Sequence, residues 1–224
     1  MREIVLDTET TGLSVKDGHR IVEIGCIELD NLIPGKKIFH FCLNPERKVS
    51  EEAYKVHGHS DEFLSDKKKF SEIADEFLEF IKDKKIIIHN AEFDIAHINN
   101  ELEIANKEKI TKENIVDTLD LARNKFPGSA INLDALCKRF SIDNSKRKKH
   151  TALIDCELLA KVYINLLDQK EPRFNFNNSI EINKNKNENE KKNNSYSKKI
   201  IIPSSEELKK HKEFLKRDFK RNFY

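Results

Sequence analysis

Two acidic residues two positions apart, Asp7 and Glu9, follow the short apolar run Ile4-Val5-Leu6. Alternate side chains of an extended segment share a face, so both carboxylates point the same way. The C-terminal end of a buried strand is also where open α/β sheets place their ligand sites. Taken alone, the pair reads more readily as an acidic turn after a strand. Asp155 is harder to leave on a surface. It lies within the stripe Ala152, Leu159, Val162 and Leu166 of a predicted helix, and an ionised carboxylate facing a core is costly unless paired or metal-bound. Asp94, beside Phe93 and Ile95, makes a weaker case, because a first-turn Asp also complements a helix dipole. Four converging carboxylates without counter-charge would repel one another, and some would take up protons. Two divalent cations remove that conflict, and all-oxygen ligation favours Mg²⁺ or Mn²⁺. A pair of such ions roughly 4 Å apart suits in-line attack on a phosphodiester, one acidifying the attacking water and the other stabilising the leaving oxygen. His150, just before the Asp155 helix, could accept the water's proton at neutral pH; by itself it reads as a solvated histidine in a basic loop.

Positioning these groups requires a mixed sheet. Strands are predicted at Ile4–Leu6, Arg20–Leu29 and Lys37–Leu43, joined by links short enough for an antiparallel meander. Apolar residues at 70, 73, 74, 77, 78 and 81 have helical spacing. Ile86-Ile87-Ile88 and Ile115-Val116 read as further buried strands. Helices are predicted over 92–105, 119–126, 133–140 and 151–167. Strands that alternate with helices after residue 70 imply parallel pairings, so the expected fold is α/β, a mixed sheet with helices on both faces.

The chain of 224 residues fits one ordinary domain with a remainder. Its formal charge of +2 hides an asymmetry: residues 1–168 carry a balance of −5 and the rest +7, so body and tail have different tasks. Residues 175–194 are almost all Asn, Lys, Glu and Ser, too polar to offset their ordering entropy, and read as a disordered linker. Beyond it, Ile200-Ile201-Ile202-Pro203 leads into a helix start at Ser204 and a basic amphipathic piece with Leu208, Phe214, Leu215 and Phe219. A short amphipathic piece on a tether implies a partner. Cys26, Cys42, Cys137 and Cys156 lack zinc-type spacing and read as buried free thiols. With no signal peptide and no run approaching the ~18 apolar residues of a membrane span, the expectation is a soluble protein of a reducing compartment, the cytoplasm.

Three motifs, Asp7-Thr8-Glu9-Thr10-Thr11-Gly12, His89-Asn90-Ala91-Glu92-Phe93-Asp94 and His150-x4-Asp155, together resemble those of the DEDDh group of DnaQ-like exonucleases, which have a ribonuclease H-like fold. The resemblance covers about residues 1–168. It is nearest to the proofreading subunits of bacterial replicative polymerases, through Gly18-His19-Arg20-Ile21-Val22-Glu23-Ile24-Gly25, Val56-His57-Gly58, Leu133-Asp134-Ala135-Leu136-Cys137 and Ile142-Asp143-Asn144-Ser145-Lys146-Arg147. It implies that Asp7, Glu9, Asp94 and Asp155 bind two divalent cations, that His150 accepts the proton, and that Glu52 and His57 touch the terminal nucleotide along with Asp7, Glu9 and Asp155. Without it, Glu52 reads as a solvated helix-start residue and His57 as a turn residue. Lys146-Arg147-Lys148-Lys149 could attract substrate phosphates, or form a merely solvated loop.

The resemblance also divides the chain into an exonuclease domain (1–168), a linker (169–199) and a tail (200–224) that docks on a polymerase catalytic subunit. Gln169-Lys170-Glu171-Pro172-Arg173-Phe174 looks like a sliding-clamp-binding peptide with Pro172 where an apolar residue is usual. The implied substrate is a single-stranded or frayed DNA 3′ terminus. A free-standing exoribonuclease of the ribonuclease T or oligoribonuclease kind, or a subunit that chiefly braces a polymerase, remains an alternative.

Overall fold

A computed structural model describes residues 2–147, 149–167 and 203–218, with side chains of the last segment described as far as residue 214. The predicted linker and clamp peptide at 169–199, and the ends of the predicted tail, lie outside the described residues.

Five strands form one sheet: β1 (Arg2–Thr10), β2 (Ile21–Asp30), β3 (Ile33–Cys42), β4 (Lys85–Ile88) and β5 (Ile115–Asp117), in the order β3-β2-β1-β4-β5. The first three are antiparallel neighbours, while β4 pairs parallel to both β1 and β5. The meander followed by parallel crossovers is the arrangement expected from the sequence. On one face Ile4, Leu6, Ile24, Cys26 and Phe39 pack against α3 (Phe70–Ile81) and α4 (Ala91–Ile104). On the other, Val5, Ile27, Leu29 and Ile87 pack against α5 (Thr118–Lys125), α6 (Leu133–Arg139) and α7 (Ala152–Leu166). This is the ribonuclease H-like arrangement.

Three differences from the sequence reading have physical causes. β1 does not stop at Leu6 but runs through Thr10, so Asp7 and Glu9 lie within paired strand and have fixed directions. Strand β3 begins at Ile33 rather than Lys37, through Pro34 and Gly35. Proline costs no ladder bond on an edge strand, and β3 is an edge. Two short helices, α1 (Glu51–His57) and α2 (Asp61–Ser65), follow β3. Their signals are brief: Ser50 accepts from the Ala53 N–H, and Ser60 from the Phe63 N–H, as N-caps do. A separate helix, α8 (Ser205–Asp218), starts where Ser204 was predicted to start it, with Ser204 and Glu207 bonded reciprocally.

The position of α7 depends on Gly25. This residue pairs with Asp7 across β1 and β2, and the α7 backbone lies directly over it. A Cβ at position 25 would come within 2.8 Å of the Ala152 carbonyl carbon and 2.9 Å of the Leu153 nitrogen. The Cys156 thiol donates to the Gly25 carbonyl at 3.2 Å, closing the contact. The absent side chain lets the first turn of α7, which carries Asp155, reach the strand that carries Asp7. Gly25→Ala should destabilise the fold by about 1–3 kcal/mol through overpacking and also lower phosphodiester hydrolysis. Chemical denaturation and a nuclease assay would check this; unchanged stability and activity together would show that α7 does not need the contact.

Candidate active site

Asp7, Glu9, Asp94, His150 and Asp155 line one small cavity of about 170 Å³, together with Thr8, Phe93 and Arg147. They come from one strand, two helices and the loop before the second helix. Asp7 and Glu9 project from the same face of β1. Asp94 sits in the first turn of α4, whose start is anchored by Asp117: its carboxylate accepts from the Asn90 and Ala91 N–H groups, each at 3.0 Å. Thr8 then fixes Asp94 itself, donating from its hydroxyl at 2.7 Å and its backbone N–H at 3.1 Å to Oδ1. Asp155 lies in the first turn of α7 and is 3% exposed; Asp94 is equally buried. Donor atoms of Glu9, His150 and Asp155 fall within 4.8 Å of one another.

Burial and mutual repulsion raise the acid groups. Burial, then the charges of Asp94, Glu9 and Asp155, hold Asp7 well above the ordinary carboxylate range. Glu9 is lifted to about 8 by burial and by Asp155 and Glu23. Burial raises Asp94 to about 7, with the Thr8 hydrogen bonds opposing it. A donor set of hard oxygens short of positive charge fits divalent cations.

Arg147 supplies the positive charge present in the protein itself. Its Nε and Nη2 donate to the two oxygens of Asp155 at 2.6 and 2.7 Å, and Nη1 donates to Asp134 at 2.7 Å. Nη2 also donates to His150 Nδ1 at 2.9 Å. Arg147 is thus buried on the site's own carboxylate, rather than displayed for phosphates as one reading of the basic loop had it. Burial and the Arg147 charge lower the pKa of His150, which favours a neutral imidazole.

A second cleft of about 560 Å³ adjoins the cavity and shares Thr8, Glu9 and Phe93 with it. Glu52 and His57 line this cleft. His57 is buried, not a loose turn residue, and burial with the neighbouring His59 depresses it to about 4. All seven residues singled out in the sequence therefore gather at one place. Thr8 and Asp117 were not foreseen, because each acts through a partner far away in the chain; the pairing of Arg147 with Asp155, eight residues on, was hidden by the run of like charges around it.

The profile of a family described as Exonuclease matches residues 4–163. DNA polymerase III subunit epsilon of Rickettsia felis is 51% identical over 219 residues, covering 96% of both chains. The chain belongs to the DNA polymerase III epsilon subunit family of exonucleases. The Escherichia coli epsilon subunit is 47% identical over 171 residues, covering 73% of this chain and 70% of that one. Two solved structures show the epsilon fold more widely. Exonuclease X in complex with 5′ overhanging duplex DNA has a TM-score of 0.58 at 24% identity, covering 75% of this chain and 92% of its own. The nuclease domain of 3′hExo, a DEDDh family member bound to rAMP, has a TM-score of 0.65 at 14% identity with the same coverages. Among the described residues no helix is long and apolar enough to cross a membrane.

The raised acids give this epsilon-family site a pH signature. A carboxyl group with a raised folded-state pKa stabilises the fold fully below its unfolded value and loses that contribution as pH rises through the folded one. The window is 4.5 to about 8 for Glu9 and 3.8 to about 7 for Asp94. Chelator-treated protein should lose thermal stability between about pH 5 and pH 8 on this account. Added Mg²⁺ should restore more at the higher pH, since cations displace protons. A Mg²⁺ effect equal at both pH values in a melting experiment would contradict this assignment.

Proposed function

We propose that this protein removes misincorporated 3′-terminal nucleotides from DNA as the proofreading 3′–5′ exonuclease subunit of DNA polymerase III, working in the bacterial cytoplasm. The observation that carries this is the convergence of Asp7, Glu9, Asp94, Asp155 and His150 in one cavity beside a nucleotide-sized cleft. Membership of the epsilon family supports both the reaction and the polymerase as partner.

Asp7, Glu9, Asp94 and Asp155 would hold two divalent cations, Mg²⁺ or Mn²⁺. When bound, such ions acidify the attacking water and stabilise the leaving oxygen. Asp7 and Glu9 share a strand face, and so define one wall. Thr8 keeps one oxygen of Asp94 in place. His150 takes the proton of the attacking water. A guanidinium can only donate, so while Arg147 bonds Nδ1 the neutral ring carries its proton on Nε2. Release of Arg147 would therefore free both His150 and Asp155 for the reaction. Asp7, Glu9 and Asp155 also border the reacting phosphate, while Glu52 and His57 contact the terminal nucleotide from the adjoining cleft.

Purified protein should shorten single-stranded DNA from its 3′ end with Mg²⁺ or Mn²⁺ and stop in EDTA. A mismatched primer end should be cut faster than a matched one, because fraying it saves up to a few kcal/mol of unpairing. Asp7→Ala should lose nearly all activity, and His150→Ala roughly 10²–10⁴ in rate. Hydrolysis that persists in chelator, or a strong preference for RNA, would overturn the proposal.

The chain divides by function into the exonuclease domain 1–168, a tether 169–199 and a docking tail 200–224. Leu208 and Phe214 are exposed on α8, supporting its use as an apolar anchor for the polymerase catalytic subunit. The tether would hold the nuclease near the primer end at high effective concentration. Residues Gln169 to Phe174 would add a weak, transient contact to the sliding clamp. Deleting residues 200–224 should leave exonuclease activity on free DNA intact and abolish co-purification with the polymerase. Full-affinity binding by the truncated chain would move the interface to the folded body.

A further inference from the structure

A second group of metal-ligating side chains lies beside the carboxylate cavity, one strand further across the same face of the sheet. Glu9 on β1 pairs with Glu23 on β2, and Glu23 pairs with Cys42 on β3. His40, two residues before Cys42, shares its face of β3. His40 Nε2 stands 2.8 Å from Glu23 Oε1, and donor atoms of Glu23, His40 and Cys42 all lie within 4.8 Å of one another. His59, just beyond α1, brings its own Nε2 to 2.8 Å from the other Glu23 oxygen. Glu23 is buried, but the His40 side chain is 35% exposed at the sheet edge, which gives an ion a way in.

We propose that Glu23, His40 and Cys42 form a binding site for a borderline-soft divalent cation of the zinc and cobalt class, separate from the carboxylate centre. The donor types argue for it. Thiolate and imidazole favour such ions over Mg²⁺, whereas the all-carboxylate cavity selects the harder ion. Bonds of about 2.0–2.3 Å in tetrahedral geometry set donors about 3.5 Å apart. To reach it, His40 Nε2 and Glu23 Oε1 would open from their present 2.8 Å, and the Cys42 sulfur, within 4.8 Å of both, would draw in by side-chain rotation. On binding, the Cys42 thiol proton passes to solvent as the sulfur–metal bond forms, and the hydrogen that His40 Nε2 donates to Glu23 leaves that nitrogen, for Nδ1 or for solvent, so that it can ligate. His59 keeps its hydrogen bond to the second oxygen of Glu23 and so orients the ligating carboxylate. Linear cysteine spacing could not reveal this site, because strand register rather than a CxxC pair assembles it.

Cobalt tests the proposal with a readout independent of nuclease activity. Full-length protein, stripped with chelator and then held in excess Mg²⁺, is titrated with Co²⁺. One cobalt per chain should give a near-ultraviolet thiolate-to-cobalt absorption. Cys42→Ser, a one-atom change, should abolish the band with the circular dichroism spectrum unaltered. His40→Ala, at an exposed position, should weaken cobalt binding at least as much as the roughly 10–100-fold typical of losing an outer partner. Asp155→Ala should retain the band, separating this site from the carboxylate cavity. Absence of the band in the wild type, its survival in Cys42→Ser, or undiminished affinity in His40→Ala would overturn the assignment.

Discussion

Repulsion among buried carboxylates is the constraint around which this molecule is arranged. Asp7, Glu9, Asp94 and Asp155 cannot all ionise in a shared cavity without positive charge beside them, and the fold spends considerable structure in forcing them together. It extends β1 past Leu6, leaves position 25 without a side chain, ties the start of α4 to Asp117, and clamps Asp94 with Thr8. Together these features hold an unfavourable charge distribution that makes sense in a protein built to bind cations.

Arg147 shows how such a site is tolerated when only the chain's own atoms are available. A guanidinium bidentate to Asp155 and bonded to Asp134 keeps a buried acid from standing unpaired, which would be strongly destabilising. It also holds His150 by the nitrogen that must carry no proton. One residue therefore ties the state of Asp155, the proposed metal ligand, to that of His150, the proposed base. The two would be released together.

Much of this could be read from the sequence. Alternation placed Asp7 and Glu9 on one face, and the apolar stripe of α7 marked Asp155 as a carboxylate with no ordinary reason to be buried. Motif resemblance added Glu52 and His57, whose local settings alone suggested a solvated helix start and a turn. What stayed hidden depends on distance along the chain. The Thr8–Asp94 bond spans 86 positions and the Cys156–Gly25 contact 131, so neither leaves a periodic trace. Pro34 and Gly35 misled for the opposite reason: their local preference is to interrupt a strand, and only the edge position of β3 makes them harmless.

That edge has a further consequence for the assembled protein in the crowded company of other chains. Strand β3 presents Pro34, which lacks an N–H, and then Lys36 and Lys37, all exposed. Missing donors and repelling charges are how sheets refuse an additional strand. At the opposite border β5 is only three residues long, too short a template for pairing. The sheet is closed to growth at both margins without being a barrel, so a protein at work on nucleic-acid ends has little tendency to polymerise with its own copies.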